Sequence, residues 1–448
     1  MLAGRAAAQT FKILYSFSAT TSTNSNNWPV NNDGINPTAG LLLSGNTLYG
    51  TAEFGGLGYG TVFALNIGSE VLSPLYNFTY GSDGAFPKAG VVLSGNTLYG
   101  TTSFRGGNIA NVTGTVFSVN TNGSNFTTLH GFTNGSDGGS PGGGLVISGN
   151  TLYGTAYGGG ANGNGTVFSV NTSGSNFMTL HSFSATALSY PYGNLDGSHP
   201  LGGLVLSGST LYGMAYGGGR YGYGTVFAIS TTGSNFTTLY SFTGPIVYGG
   251  NELILSGNIL YGTTFYGGGY GDGSVFAINT NGSNFMNLHN FAGSSDGVYP
   301  DELVLSGNTV YGTAAEGGNS GNGTLFAINT NGSNFINLHN FTGSSDGEYP
   351  DGLVLSGNTL YGTAAEGGSS GNGTVFSLSF TPPLNIILSG ANIVLTWPTN
   401  TAGFTLQFTT NLSPAAWSTN LPSPVVVNGQ YTVTNPISGT QQFYQLSQ

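Results

Sequence analysis

Seven near-copies of one segment constrain this chain more than anything else in it. The clearest copy is 352–379, GLVLSGNTLYGTAAEGGSSGNGTVFSLS, three short apolar runs separated by glycine turns. A Tyr-Gly pair marks each copy, at Tyr49, Tyr99, Tyr153, Tyr212, Tyr261, Tyr311 and Tyr361, with successive spacings of 50, 54, 59, 49, 50 and 50 residues. Self-similarity at such a period, with several strands per unit, predicts a β-propeller; the coils of a stacked β-helix are normally shorter.

Composition supports a folded, all-β chain. Only 5% of residues are charged, yet 38% are hydrophobic and 12% aromatic, so core material is present despite 79 glycines. The glycines recur at fixed places in the repeat, as turn residues do. A net charge of −11 excludes nucleic acid as the expected partner. No apolar run approaches the roughly 18 residues of a membrane span. The chain has no cysteine, which removes disulfides, thiolate chemistry and cysteine-ligated metals. At the N-terminus, Ala6-Ala7-Ala8 resembles the small-residue end of a signal peptide, although no apolar region precedes it. Residues 1–10 therefore read as a signal-peptide remnant or a disordered tail. The Asn/Thr/Ser/Gly-rich composition favours a secreted or cell-surface protein.

Each repeat holds four runs, labelled A to D. Run A is typified by Leu353–Leu355, B by Thr359–Ala364, C by Thr374–Leu378 and D by Phe335–Phe341. Ser-Gly-Asn joins A to B, a glycine-rich loop joins B to C, and Asn-Gly turns such as Asn331-Gly332 join C to D. Runs A and C are almost wholly apolar, which suits sheets covered on both faces by neighbouring blades. There are seven A, B and C runs, but D follows its own C run only six times; Phe11–Phe17 (FKILYSF) supplies the missing copy. The N-terminal strand is thus expected to pair with the last C run and close a seven-bladed propeller over 11–380, removing an aggregation-prone edge. Pro74 lies within a D run, and proline is tolerated in a sheet only at an edge, so D should be outermost and A should line the central channel.

After a Pro382-Pro383 linker (381–383) the repeat stops. Residues 384–448 hold five or six short strands and resemble a fibronectin type III sandwich in LTW at Leu395–Trp397, FTLQF at Phe404–Phe408 and the closing YTVTNPISGTQQFYQL. The repeats resemble the GloVer tandem repeats of exported bacterial proteins, in the LYGT core, the GGxxGxGTVF segment and the trailing FxxLhxF, where h is His or Tyr. That resemblance covers about 11–379 and implies a secreted or surface-attached propeller.

Strand direction sorts the loops onto two faces. D–A and B–C loops share one face and hold all sixteen acidic residues except Glu70. Glu252, Asp301, Glu302 and Asp351 precede run A in repeats five to seven, so they should ring part of the channel mouth. Clustered oxygen ligands of this kind suit a hard cation, Ca²⁺, as a metal site; the competing reading is a solvated acidic rim. No other cofactor is suggested, and no catalytic residue is assigned. Asp-Gly-x-x-Pro, in six D–A loops, reads as a turn in which Asp bonds nearby backbone. The two long D–A loops carry Trp28, and Tyr190, Tyr192 and His199. Exposed aromatics on a rigid scaffold are candidate ligand-binding residues, able to stack on sugars. The expected function is a non-catalytic extracytoplasmic binding or scaffold protein whose partner is a glycan or another protein. The alternative is a polysaccharide-active enzyme using the carboxylates at the channel mouth.

Overall fold

Glycine turns reverse the chain at fixed intervals, and the apolar runs between them pair as antiparallel strands. The computed structural model describes residues 9–104, 113–186, 193–243, 253–293, 295–380, 384–398, 405–411, 416–427, 429–437 and 441–447, and no helix occurs among them. In repeat one, strands A (Leu42–Ser44), B (Thr47–Ala52), C (Thr61–Asn66) and D (Val71–Asn77) lie side by side in that order. Repeats two to six build the same sheet. In the seventh sheet A, B and C are Glu348–Ser356, Thr359–Glu366 and Thr374–Phe380, and the strand beside C is Gln9–Ser16. D is an edge strand throughout, and Pro74 sits in one such edge.

The turns follow glycine's freedom at positive φ. In the turn at Asn331-Gly332, Gly332 is left-handed (φ 82) and the second left-handed residue is Asn334 (φ 57). The cause is a side-chain turn: Asn331 Oδ1 accepts from Ser333 N (3.0 Å) and Oγ (2.7 Å), and the chain bends again just beyond.

The marker Tyr-Gly pair has a packing cause. Gly154 lies opposite Phe168 across strands B and C. A Cβ at Gly154 would meet Phe168 Cζ at 2.7 Å and Leu145 Cδ2 at 2.8 Å. Overpacking of that kind costs roughly 1–3 kcal/mol. The same conflict recurs at Gly50, Gly100, Gly213, Gly262, Gly312 and Gly362, each against the phenylalanine of GTVF or its equivalent.

Neighbouring sheets are joined by a recurring set of contacts. The last phenylalanine of each D run stands edge-on to the strand C phenylalanine of the next sheet: Phe78 to Phe117, Phe132 to Phe168, Phe183 to Phe227, Phe242 to Phe276, Phe291 to Phe326 and Phe341 to Phe376, with centroids 5.0–5.6 Å apart. Phe17 makes the same contact with Phe63 at 5.5 Å. The proline of Asp-Gly-x-x-Pro packs on a glycine of the preceding repeat, where a Cβ would lie 2.3 Å (Gly323, Pro350) to 2.6 Å (Gly165, Pro200) from Cδ. Thr51, Thr101, Thr155 and Thr263 donate side-chain hydrogen bonds to carbonyls at the next strand A, those of Ala89, Gly143, Gly202 and Asp301. Between the seventh repeat and the first, Thr363 donates to Ala39 O (3.5 Å), Asn36 N donates to Asn372 O (3.1 Å) and Pro37 packs on Gly373.

The chain divides into two compact units. The larger comprises Ile13–Val354 and Tyr361–Phe376; the smaller is built chiefly of Ser377–Gln448. In the smaller, Asn385–Ser389, Asn392–Pro398, Gln430–Pro436 and Val425–Val427 form one sheet and Thr405–Thr409 with Phe443–Ser447 another. Trp397 is buried with Leu395, Leu406 and Val433. The expected linker at Pro382-Pro383 lies outside the described residues.

Candidate functional site

The Asp-Gly-x-x-Pro carboxylates belong to the frame. Asp33 accepts from Tyr15 OH (2.7 Å), Ser18 N (2.9 Å) and Ser18 Oγ (2.6 Å). Asp83 is held likewise by Tyr76, Thr79 and Gly81 N. Where strand D carries histidine, its Nε2 lies beside the carboxylate: His130 to Asp137 at 3.2 Å, and His181, His289 and His339 to Asp196, Asp296 and Asp346 at 3.0 Å. The next strand D lays a phenylalanine flat on that ring, as Phe177 does on His130 (3.7 Å, 11°) and Phe126 on Tyr76 (3.7 Å, 7°). Burial pushes His130, His289 and His339 below the ordinary imidazole value, against the upward pull of the bonded aspartates. For Asp196 burial acts upward, but the bonds from His181 and Ser184 outweigh it and leave the carboxyl below its usual range. Burial, then the hydrogen bond and charge of Asp33, holds the Tyr15 phenol far above its ordinary value. These side chains are tied to one another and to the backbone within the frame.

Glycine and acid meet at the starts of strands A. Ala39–Gly40, Ala89–Gly90, Gly142–Gly144, Leu201–Gly203, Asp301–Glu302 and Asp351, from six different repeats, line one cavity of about 290 Å³. Backbones come close there because side chains are missing: a Cβ on Gly90 would lie 2.4 Å from Gly40 O, and one on Gly352 2.2 Å from Ala39 O. The Glu302 carboxylate reaches to 3.6 Å from the Cβ position of Gly40. Glu53 and Lys88 complete the lining as an ion pair at 3.1 Å, and Asn36 also donates to Glu53. Asp301 and Glu302 were expected in a loop before strand A. They lie instead inside a longer strand, Val298–Ser306, where the register shifts between Pro300 and Leu303. Such a bulge lets the strand carry charged residues into the opening.

The structure thus gathers Asp301, Glu302 and Asp351 into one cavity. Glu252, with Tyr190 and Tyr192, lies outside the described residues. Among the described residues no group of three or more His, Asp or Glu side chains is arranged to hold a metal ion. Trp28 and His199 fall into separate aromatic groups. Trp28 stacks on Phe54 (5.4 Å, 14°) and stands against Phe86 (5.1 Å), whereas His199 faces Tyr157 (4.7 Å). Phe54, Phe86 and Phe104 went unnoticed in the sequence. Comparing repeats exposes them: inside an invariant frame, the residue before the proline and the residue before the glycine loop are the ones that vary.

The family comparison bears on this frame directly. The Gloeobacter/Verrucomicrobia repeat matches residues 5–196, 96–256 and 249–389, most of the chain. The chain belongs to that family. The matches to the Gloeobacter/Verrucomicrobia repeat run in tandem across the four-stranded sheets described above, in a β-propeller-like fold. No curated protein matches the sequence. Among solved structures, the chain is similar to a GH74 enzyme from Niastella koreensis at 14% identity and a TM-score of 0.52, covering 90% of this chain and 60% of that one. It is also similar to an extracellular domain from B. thetaiotaomicron (10%, TM-score 0.49, 90% and 47% covered). A third likeness is to an oligogalacturonate lyase in complex with manganese (11%, TM-score 0.48, 84% and 98% covered). The chain spans less than two thirds of the first two of these. The likeness to the GH74 enzyme concerns fold alone.

Proposed function

We propose that this chain is a non-catalytic, extracytoplasmic binding protein: a closed, seven-bladed propeller that presents one loop-rich face to a glycan or protein partner, with a small fibronectin type III-like unit at 384–448 for spacing or attachment. The observation that carries the reading is where the repeat is broken. The frame contacts recur from repeat to repeat, whereas the loops at the starts of strands A, and the insertion bearing Trp28, differ from copy to copy. Closure is supported by the contacts of Thr363, Asn36, Pro37 and Phe17, which match at the seventh-to-first junction those made between other neighbours. Export is supported by the composition.

Binding is favoured over hydrolysis by the make-up of the cavity. Its described lining sets Glu53, Asp301, Glu302 and Asp351 among glycine backbone, with the one lysine already paired to Glu53. The Ca²⁺ assignment to Glu252, Asp301, Glu302 and Asp351 remains part of this proposal, since repulsion among these carboxylates is what a cation would relieve. A glycan and protein array, followed by a reducing-sugar assay on every hit, tests the function. Retention of a ligand without release of new reducing ends is expected. Release of product that disappears in Glu302→Gln would overturn the binding reading. Calorimetry with millimolar Ca²⁺ should give heat that Glu302→Gln and Asp351→Asn reduce; its absence leaves only a solvated rim.

A further inference from the structure

The loop before the first strand A contains structure that its sheet does not use. Ser22–Thr23 pairs with Pro29–Val30 as a separate two-stranded hairpin, outside the four-stranded sheets. Asn24 builds its tip. Its N donates to Trp28 O (2.9 Å), and its Oδ1 accepts from Asn26 N (2.9 Å) and Trp28 N (3.0 Å). The hairpin is then tied to the glycine loop of repeat one: Asn24 Nδ2 donates to Leu57 O (2.9 Å) and Asn26 Nδ2 to Tyr59 OH (2.9 Å). Trp28 is thereby fixed before any ligand arrives, and a rigid ring loses little entropy on binding.

Beneath Trp28 lies Phe86, in the left-handed region at φ 57, which a bulky side chain seldom adopts. Phe86 is buried and gathers Phe54, Tyr59, Tyr80 and Phe104 around it at 5.4–6.5 Å. Two rings packed against it stay open to solvent, Trp28 at 37% and Phe104 at 49% exposure. Among the described residues, Asp33 is engaged by Tyr15 and Ser18, Asp83 by Tyr76 and Thr79, and Glu53 by Lys88. What faces outward among the described residues is aromatic surface beside the hairpin asparagines Asn24 and Asn26, on a protein of net charge −11.

We propose that this patch, between the first and second repeats, binds an uncharged oligosaccharide of at least disaccharide length, with sugar rings lying on Trp28 and Phe104. The proposal rests on the glycan form of the function above. A pyranose presents a face of C–H bonds that an aromatic ring covers without stripping water from the hydroxyls, and the rim amides can meet those hydroxyls. An acidic polysaccharide is disfavoured, because the field of a protein with net charge −11 repels it. A purely apolar ligand would leave the amide rim without a role.

Isothermal titration with neutral gluco-, xylo- and manno-oligosaccharides tests it, with an oligouronide as the charged control. Binding of a neutral oligosaccharide should weaken by about tenfold in Trp28→Ala and in Phe104→Ala, the size of one lost stacking contact. Trp28→Tyr should retain most of the affinity, which separates loss of a ring from loss of the fold. Wild-type binding that survives both alanine substitutions would overturn this site while leaving the glycan reading intact. Failure of every neutral oligosaccharide to bind would overturn the proposal, and a protein ligand found on the array would then keep the broader reading.

Discussion

Histidine and tyrosine trade places at one position of strand D because both offer a flat ring for the next phenylalanine and a donor for the following aspartate. Interchangeability of the two residues was legible in the sequence. The aspartate partner was not, since only folding brings residues such as His181 and Asp196 to 3.0 Å. The lowered histidine values carry a pH signature. The unfolded chain binds protons on His130, His289 and His339 near 6.5, before the folded one does. Their contribution to stability is full above that value and is lost as pH falls below it, toward the lower folded values. The melting temperature should therefore drop between about pH 7.5 and 5. The triple variant His130→Tyr, His289→Tyr, His339→Tyr, which adopts the chain's own solution at Tyr15 and Tyr76, should flatten that drop. An unaltered slope in the variant would show that other groups govern the acid response.

Among the strands, phase and order were readable from turn residues: Ser-Gly-Asn, the glycine loops and Pro74 placed each run correctly in its sheet. The long strands Val298–Ser306 and Glu348–Ser356 were not, because charged residues look like loop and a bulge leaves no mark in a single sequence. The strand Gln9–Ser16 is the element with the largest expected effect on removal. It covers Thr374–Phe380, and Phe17 N donates to Gly373 O at 3.0 Å. Deleting residues 1–18 should bare an apolar edge and empty the Phe17 position against Phe63, with a cost of about 3–5 kcal/mol from that phenylalanine alone. Light scattering should detect aggregation, and the thermal midpoint should fall. A soluble variant with an unchanged midpoint would contradict the role given to this strand.

Charge divides the protein as sharply as sequence pattern does. All charged residues lie at or before Glu366, and 367–448 has none. The larger unit is held by its own seams, so truncation after Phe380 should leave its melting midpoint within a few degrees of the full chain's, roughly the effect of a 1 kcal/mol change. A large fall would mean that the smaller unit is part of the same cooperative structure. One seam feature reaches beyond stability. The residue before each buried proline keeps one backbone conformation and leaves its identity open: Asn36, Phe86, Ser140, His199, Tyr299 and Tyr349 occupy equivalent places at φ values from 52 to 61. These are six sockets of one shape, filled by five different residues. A lineage that duplicates such repeats inherits its architecture unchanged and rewrites its outward surface one codon at a time, so that relatives can share a skeleton while recognising unrelated molecules.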